Sequence, residues 1–312
     1  MSDLYDLWRD CRICPHQCGV NRFRELGFCQ APIRYKNRKP YVKINLYQPF
    51  FFEEPIITGE HGSGNIFFSH CNLRCRFCQN HAISQHGDGY FVSIDRLAEI
   101  IGELIQRQCR FINFVSPTPY LPLIAALLKR PERFGDSARI VYNSNAYEEV
   151  SALVHLDQRV DIYLPDYKYA DPDLGQRLSG IRNYPDKALL AICEMVRQTG
   201  APMMDDDGLM VRGTLIRHLV LPHFVTNSLD AMGILSGHLA DEVMISLMAQ
   251  YTPMAGVADY PELNRKITRE EYQRVVDRLQ ELDKFNGFTQ ELDSSDTCYI
   301  PKFGSWKTGG LL

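Results

Sequence analysis

The sequence has no apolar run long enough to span a bilayer, no repeat of fixed length and no dominant charge of either sign. A spanning helix needs about 20 consecutive apolar residues. The opening Met-Ser-Asp-Leu-Tyr-Asp-Leu-Trp-Arg-Asp has neither the basic nor the apolar segment of a secretory leader. A cytoplasmic protein without a membrane partner is expected. A formal net charge of −4 over 312 residues argues against a broad nucleic-acid-binding face. Without a repeat, solenoid architectures drop out. Hydrophobic residues make up 45% of the chain, enough to bury the core of one large α/β domain with an appendage.

Cysteine is where the composition departs from the ordinary. There are ten, and seven fall into two clusters. In a chain of this length, clustering points to metal ligation in a reducing compartment and away from a disulfide framework. The remaining three, Cys109, Cys193 and Cys298, stand singly. Cys109 and Cys193 have apolar surroundings and read as small core residues, whereas Cys298 lies in a polar tail.

The tighter cluster is Cys71-Asn-Leu-Arg-Cys75-Arg-Phe-Cys78. Three thiolates in eight residues can hold three corners of an iron-sulfur cube and leave the fourth iron open to a small molecule. A zinc ion on the same thiolates with His70 or His81 is the alternative. The preceding segment, 63–70, reads as a short buried strand, so the cysteines occupy the loop at its carboxyl end, where α/β folds place chemistry.

The looser cluster is Cys11-Arg-Ile-Cys14-Pro-His-Gln-Cys18 followed by Cys29, with Pro15, Gly19 and Gly27 for tight turns. Four thiolates close a coordination shell, so this site is structural or electron-transferring, and spacing alone does not choose between zinc and a second iron-sulfur cluster. His16 reads as a loop residue. Seven basic residues (Arg22, Arg24, Arg34, Lys36, Arg38, Lys39, Lys43) against Glu25 make a solvated basic face, with docking of an acidic electron donor as the sharper reading.

From residue 64 onward, apolar strands alternate with amphipathic helices, the pattern of a parallel sheet with crossover helices. Strands are expected at 65–69, 111–116, 138–143, 160–164, 212–221 and 243–249, and helices at 94–108, 147–156, 185–198, 227–239 and 269–284, with Asp95, Thr226 and Thr268 as starters. Six β/α repeats predict a partial barrel. The expected division is a cysteine-rich module over 1–45, the barrel over 46–290 and a tail over 291–312 that wraps on it.

The spacing of the Cys71 cluster, with Phe77 before its last cysteine, resembles the cluster-binding motif of the radical S-adenosylmethionine superfamily. Supporting phrases are Asp161-Ile-Tyr-Leu-Pro-Asp-Tyr-Lys168 and Ile245-Ser-Leu-Met-Ala-Gln-Tyr-Thr-Pro253. They resemble the branch of pyruvate formate-lyase activating enzyme-like proteins with an amino-terminal cysteine cluster, over about residues 11–290. The resemblance implies an α/β partial (β/α)6 barrel, and a [4Fe-4S] cluster on Cys71, Cys75 and Cys78. It also implies S-adenosylmethionine as cofactor, cleaved reductively to a 5′-deoxyadenosyl radical that takes hydrogen from a substrate. An external one-electron donor of flavodoxin or ferredoxin type is implied, and a protein substrate such as a glycyl radical enzyme is an option. A peptide, nucleotide or small metabolite is another. A non-catalytic iron-sulfur carrier and a zinc-stabilised interaction protein are the remaining alternatives.

Candidate cofactor contacts sit at strand ends. Ser116 and Thr118 occupy a turn where the family carries a Gly-Gly-Glu-Pro-like segment, whose glycines and glutamate are missing here. Asn143, Ser144 and Asn145 suit ribose or carboxylate recognition, with helix capping as their other role. Asp166 and Lys168 resemble the family's Asp-Leu-Lys, where the lysine pairs with the cofactor carboxylate. Arg217 and His218 are adjacent and face opposite sides of a strand; Arg217 is assigned to the interior and His218 to the outside. Gln250 with Tyr251 closes the site from above. The family's glycine after Pro222 is His223 here, leaving that turn open. No general acid or base is assigned.

Overall fold

The computed structural model describes residues 4–37, 39–130, 138–292, 301 and 303. The chain opens with β1 (Arg34–Lys36), β2 (Lys39–Phe50), β3 (Ser63–Phe68), α1 (His81–Ser84), β4 (Tyr90–Ser93) and α2 (Ile94–Gln106). It continues through β5 (Phe111–Val115), α3 (Leu121–Leu128), β6 (Arg139–Ser144), α4 (Val150–Leu153), β7 (Ile162–Pro165), α5 (Pro172–Ser179) and α6 (Tyr184–Thr199). The last elements are β8 (Met203–Met204), β9 (Met210–Leu219), α7 (Val225–His238), β10 (Met244–Met248), α8 (Arg269–Leu282) and β11 (Asn286–Thr289).

The main strands form one path, β1-β2-β3-β5-β6-β7-β9-β10-β11. Every neighbouring pair from β3 to β11 is parallel. The six expected strands are β3, β5, β6, β7, β9 and β10, in sequence order along the sheet, as a barrel requires. Each residue of β3, β5, β7 and β10 is buried, which is why these segments read as apolar runs without alternation.

Helix signals explain the boundaries that agree and those that do not. Ser93, one residue before the expected start, caps α2 by accepting from the Arg96 amide, and Leu97, Ile100, Ile101 and Leu104 bury its apolar face. Thr268 caps α8 as expected, in a reciprocal pair with Glu271. The expected helix 147–156 is shorter: α4 holds four residues, followed by a 3-10 turn at Val154–Leu156.

Eight elements were not anticipated: β1, β2, β4, β8, β11, α1, α3 and α5. Strand β2 is antiparallel to β3 and continues the sheet through position 45, the expected module boundary. The cysteine-rich segment also shares the barrel's core. Trp8, Cys11, Ile13 and Cys29 pack in one apolar cluster with α2, α3 and β3, and the Trp8 indole donates to the Pro119 carbonyl at 3.2 Å. Of the expected tail, Phe303 meets Phe67 edge-on at 5.6 Å; Cys298 lies outside the described residues.

Candidate active site

The carboxyl ends of the parallel strands turn through residues with left-handed backbone. His70 follows β3 at φ +71°, Ser116 follows β5 at +58°, Ala146 follows β6 at +58°, and His223 follows β9 at +73°. Such conformations cost of order 1–3 kcal/mol at non-glycine residues and gather at functional sites. His223 thus adopts the shape that a glycine would, and its amide donates to Glu271 Oε1 at 2.7 Å.

The loop between His70 and Asn80 brings Cys71, Cys75 and Cys78 to the wall of a cavity of about 480 Å³ at these strand ends, within the range of about 300–1,000 Å³ of ligand pockets. Each sulfur has a hydrogen-bonding neighbour. Cys71 Sγ accepts from the Asn145 amide at 3.2 Å and the Leu73 backbone at 3.4 Å, Cys75 Sγ accepts from the Ser179 hydroxyl at 3.1 Å, and Cys78 Sγ lies 3.2 Å from Ser84 Oγ. Burial pushes the Cys71 thiol up to about 12 and the Cys78 thiol up to about 11. Such thiols ionise when a metal supplies the opposing charge. Three donors facing one cavity, each sulfur hydrogen-bonded, fit a cluster with one open corner.

His70, the alternative fourth ligand, packs its ring over Gly87, and among the described residues both its buried ring nitrogens have no hydrogen-bond partner. His81 stands 5.5 Å from the His86 ring. Among the described residues no three His, Cys, Asp or Glu side chains converge as the ligands of a single metal ion do.

Most residues expected to touch a cofactor line the same cavity: Phe77, Ser116, Asn143, Ser144, Asn145, Asp166, Lys168 and Arg217. Phe77 is buried against Tyr169 and Tyr251 at 6.5 and 6.4 Å. Thr118 is not brought there; its hydroxyl donates to Glu148 Oε1 at 2.9 Å, because the chain leaves Ser116 directly into a 3-10 turn at Thr118–Tyr120. Gln250 lines the cavity, whereas the Tyr251 hydroxyl is turned to the Leu263 carbonyl at 2.7 Å.

Asp166, Lys168, Arg217 and Glu53 pair with one another in the cavity. Asp166 accepts from Lys168 Nζ at 2.6 Å and from Arg217 Nε at 2.9 Å, while the other arms of Arg217 reach Asn143 Oδ1 at 2.7 Å and Glu53 Oε2 at 3.4 Å. Burial works against ionising Asp166, but Arg217 and Lys168 overcome it and hold its carboxyl below the ordinary range. Burial also raises Glu53, to about 6, against the opposing pull of Arg217. His218 faces away from the cavity as expected. Its Nδ1–H donates to Tyr167 O at 2.6 Å and its Nε2 accepts from the Ser228 hydroxyl of α7 at 2.9 Å, a tautomer assigned from these partners. Burial lowers it to about 4.

Sequence reasoning missed Glu53, Glu148, Ser84 and Ser179. Glu53 follows the unanticipated β2, and the asparagines donating to it at 2.7 and 3.1 Å, Asn65 and Asn113, are the polar residues inside otherwise apolar strands. That interruption was the available signal. For the two serines there was none, since only the fold brings them to the sulfurs.

Residues 65–222, about half of the chain, match the family model described as the radical SAM superfamily. The chain belongs to the radical SAM superfamily. The family implies a [4Fe-4S] cluster and S-adenosylmethionine, which it cleaves by a radical mechanism. The chain is 29% identical over 295 residues to an uncharacterised protein of Methanocaldococcus jannaschii, covering 90% of this chain and 76% of that one. Among solved structures, SuiB of Streptococcus suis bound to the precursor peptide SuiA matches with a TM-score of 0.50 at 15% identity, over 71% of this chain. The match spans 47% of SuiB and shows the shared fold. No helix among the described residues of this radical SAM protein is long and apolar enough to cross a membrane.

Proposed function

We propose that this radical SAM enzyme is activase-like: it takes a hydrogen atom from a peptide segment of a partner protein, a glycyl radical enzyme being the model case, with the electron supplied by a flavodoxin- or ferredoxin-type donor. The observation that carries the reading is the cavity and its mouth. The space suits one ligand, and the cofactor takes it. The substrate then meets the radical from the mouth, where Phe51 and Phe52 on the wall are 55% and 47% exposed. An extended chain reaches such a place more readily than a buried metabolite. SuiB, on the same fold, is seen with a precursor peptide.

When bound, the cluster supplies the electron that breaks the sulfonium C–S bond and frees the 5′-deoxyadenosyl radical. The chain's own residues position and shield. Cys71, Cys75 and Cys78 hold the cluster. Lys168 and Arg217 offer cations to the cofactor carboxylate, and Asp166 keeps both in place until it arrives. Ser116, Asn143, Ser144 and Asn145 supply short hydrogen-bonding groups to the methionine and ribose, and Phe77 walls the site against water.

The test is anaerobic incubation of the reconstituted, reduced protein with S-adenosylmethionine and a glycine-deuterated candidate protein. The expected result is methionine, 5′-deoxyadenosine carrying deuterium, and a protein-based radical. Deuterium arriving only from a small molecule would replace the protein-substrate reading, and absence of 5′-deoxyadenosine altogether would remove the enzyme reading.

A further inference from the structure

The four amino-terminal cysteines are built into the wall beside the catalytic loop. His16 lies between Cys14 and Cys18, and its Nε2–H donates to the carbonyl of Asn72, the residue after Cys71, at 2.8 Å. The same ring stacks on Phe28 at 3.7 Å, next to Cys29. Arg74, from inside the catalytic loop, donates to the Phe28 carbonyl at 2.7 Å. Asn72 in turn donates to the Tyr147 carbonyl at 2.6 Å and accepts from Asn145, whose amide also reaches Cys71 Sγ. A structural zinc knuckle has no need for contacts to two residues between successive catalytic cysteines, Cys71 and Cys75.

The second observation is a charge. Arg22 is 2% exposed and donates to the Ala31 carbonyl, with Nη1 3.7 Å from Cys11 Sγ. Among the described residues it pairs with no carboxylate. The side-chain atom it reaches is the Cys11 sulfur, where a bound thiolate cluster would supply the anion that a buried guanidinium needs. The Phe28 amide lies 3.4 Å from Cys18 Sγ, and a Cβ on Gly27 would stand 3.2 Å from the same sulfur. Cation, amide and close backbone approach all address sulfurs, as around an anionic thiolate cluster whose potential is set by charge and hydrogen bonds.

We propose that Cys11, Cys14, Cys18 and Cys29 bind an iron-sulfur cluster that relays electrons to the catalytic cluster through His16 and the Asn72 backbone. This rests on the radical SAM reading of the Cys71 trio and adds the route by which its electron arrives. One electron leaves a reduced ferredoxin-type donor, which is oxidised. The quartet's cluster gains that electron and passes it on, returning to its resting charge, while the trio's cluster is reduced by one. No proton is transferred in these steps.

The test uses the full chain, reconstituted without oxygen, beside Cys14→Ala/Cys29→Ala and His16→Ala. Metal analysis should find about eight irons per chain in the parent and about four in the double variant, one cube each for the quartet and the trio. Electron paramagnetic resonance of the fully reduced parent should show two interacting spins, and the double variant one. With dithionite as reductant, both variants should keep the spectral change that S-adenosylmethionine causes at the trio. With reduced ferredoxin, the trio's reduction should slow at least tenfold in the double variant and severalfold in His16→Ala, which keeps all four thiolates. Zinc with no second cluster overturns the proposal, as does ferredoxin reduction of both variants at the parental rate. Loss of the S-adenosylmethionine effect in the parent would instead strike the radical SAM reading, leaving the iron count of the quartet to stand or fall alone. If the double variant does not fold, the iron count and spin interaction of the parent and the rates of His16→Ala decide.

Discussion

Two groups of buried and half-buried thiols, bridged by the contacts of His16 and Arg74, are finished differently. The trio at Cys71, Cys75 and Cys78 opens on a cavity, and its sulfurs share hydrogen bonds with neutral groups: an asparagine, two serines and a backbone amide. In the quartet at Cys11, Cys14, Cys18 and Cys29, Cys11 and Cys29 are buried in apolar packing and Cys11 meets a buried guanidinium. An open corner beside neutral donors suits a metal that binds ligand. A closed set with a fixed cation suits a metal that does not. On the proposed reading, chemistry is thereby separated from supply, with Cys11 and Cys29 in one apolar cluster and Cys75 in another.

The sharpest way to break this contrast is to remove thiols from each side. Replacing any one of Cys71, Cys75 or Cys78 by Ala should abolish 5′-deoxyadenosine formation under every reductant, measured by chromatography, whereas quartet variants should remain able to form it with dithionite. Equal loss in both sets would erase the distinction. A smaller effect is expected at the cavity charges. Arg217→Met leaves Asp166 and Glu53 without their shared cation, and should cost up to about 3 kcal/mol in thermal stability and raise the Kd for S-adenosylmethionine by about tenfold or more. Calorimetry of unfolding and of binding would measure the two separately.

Next in size is Gly87→Ala. Gly87 has φ +68°, and a Cβ there would stand 2.2 Å from His70 Cε1, so the ring beside Cys71 must shift. A loss of about 1–3 kcal/mol is expected, with lowered iron content at the trio and unchanged iron at the quartet.

The smallest effect concerns pH. Glu148, buried beneath Ser144 and hydrogen-bonded by Thr118 and Tyr142, is pushed by burial from 4.5 up to about 7. Its folded-state value is raised, so its contribution to stability is complete below pH 4.5 and is lost as pH rises through 7. Glu148→Gln should therefore remove that part of the slope, and the stability difference between variant and parent should change across this window and level off above it. A constant difference would show that Glu148 is not held neutral.

The parallel barrel was legible because strands buried on both faces are written as apolar runs, and helices such as α2 and α8 carry their caps beside a periodic face. Strand β2 was not, since its mix of half-buried tyrosine, lysine and proline fits a strand flanked by β1 and β4 along its first half and by β3 along its second, pairings that only the fold defines. Strand β11 is four mostly exposed residues with a glycine, too short to show a period. At the site, the cysteines, Asp166, Lys168 and Arg217 were readable because their chemistry is unusual for strand ends. Glu53 and Ser179 belong to the site through contacts with residues far away in sequence, Arg217 and Cys75, and such contacts leave no local mark. Thr118 shows the converse: a residue type suited to the cofactor, in the expected loop, is turned by the local backbone onto Glu148.

The central claim, that the cluster on Cys71, Cys75 and Cys78 keeps one iron free for S-adenosylmethionine, is tested most directly by electron paramagnetic resonance of the reduced, oxygen-free protein before and after that cofactor is added. The account predicts a new signal at the trio's cluster, present in Cys14→Ala/Cys29→Ala and absent in Cys78→Ala. An unchanged spectrum in a protein with a full complement of iron would contradict it.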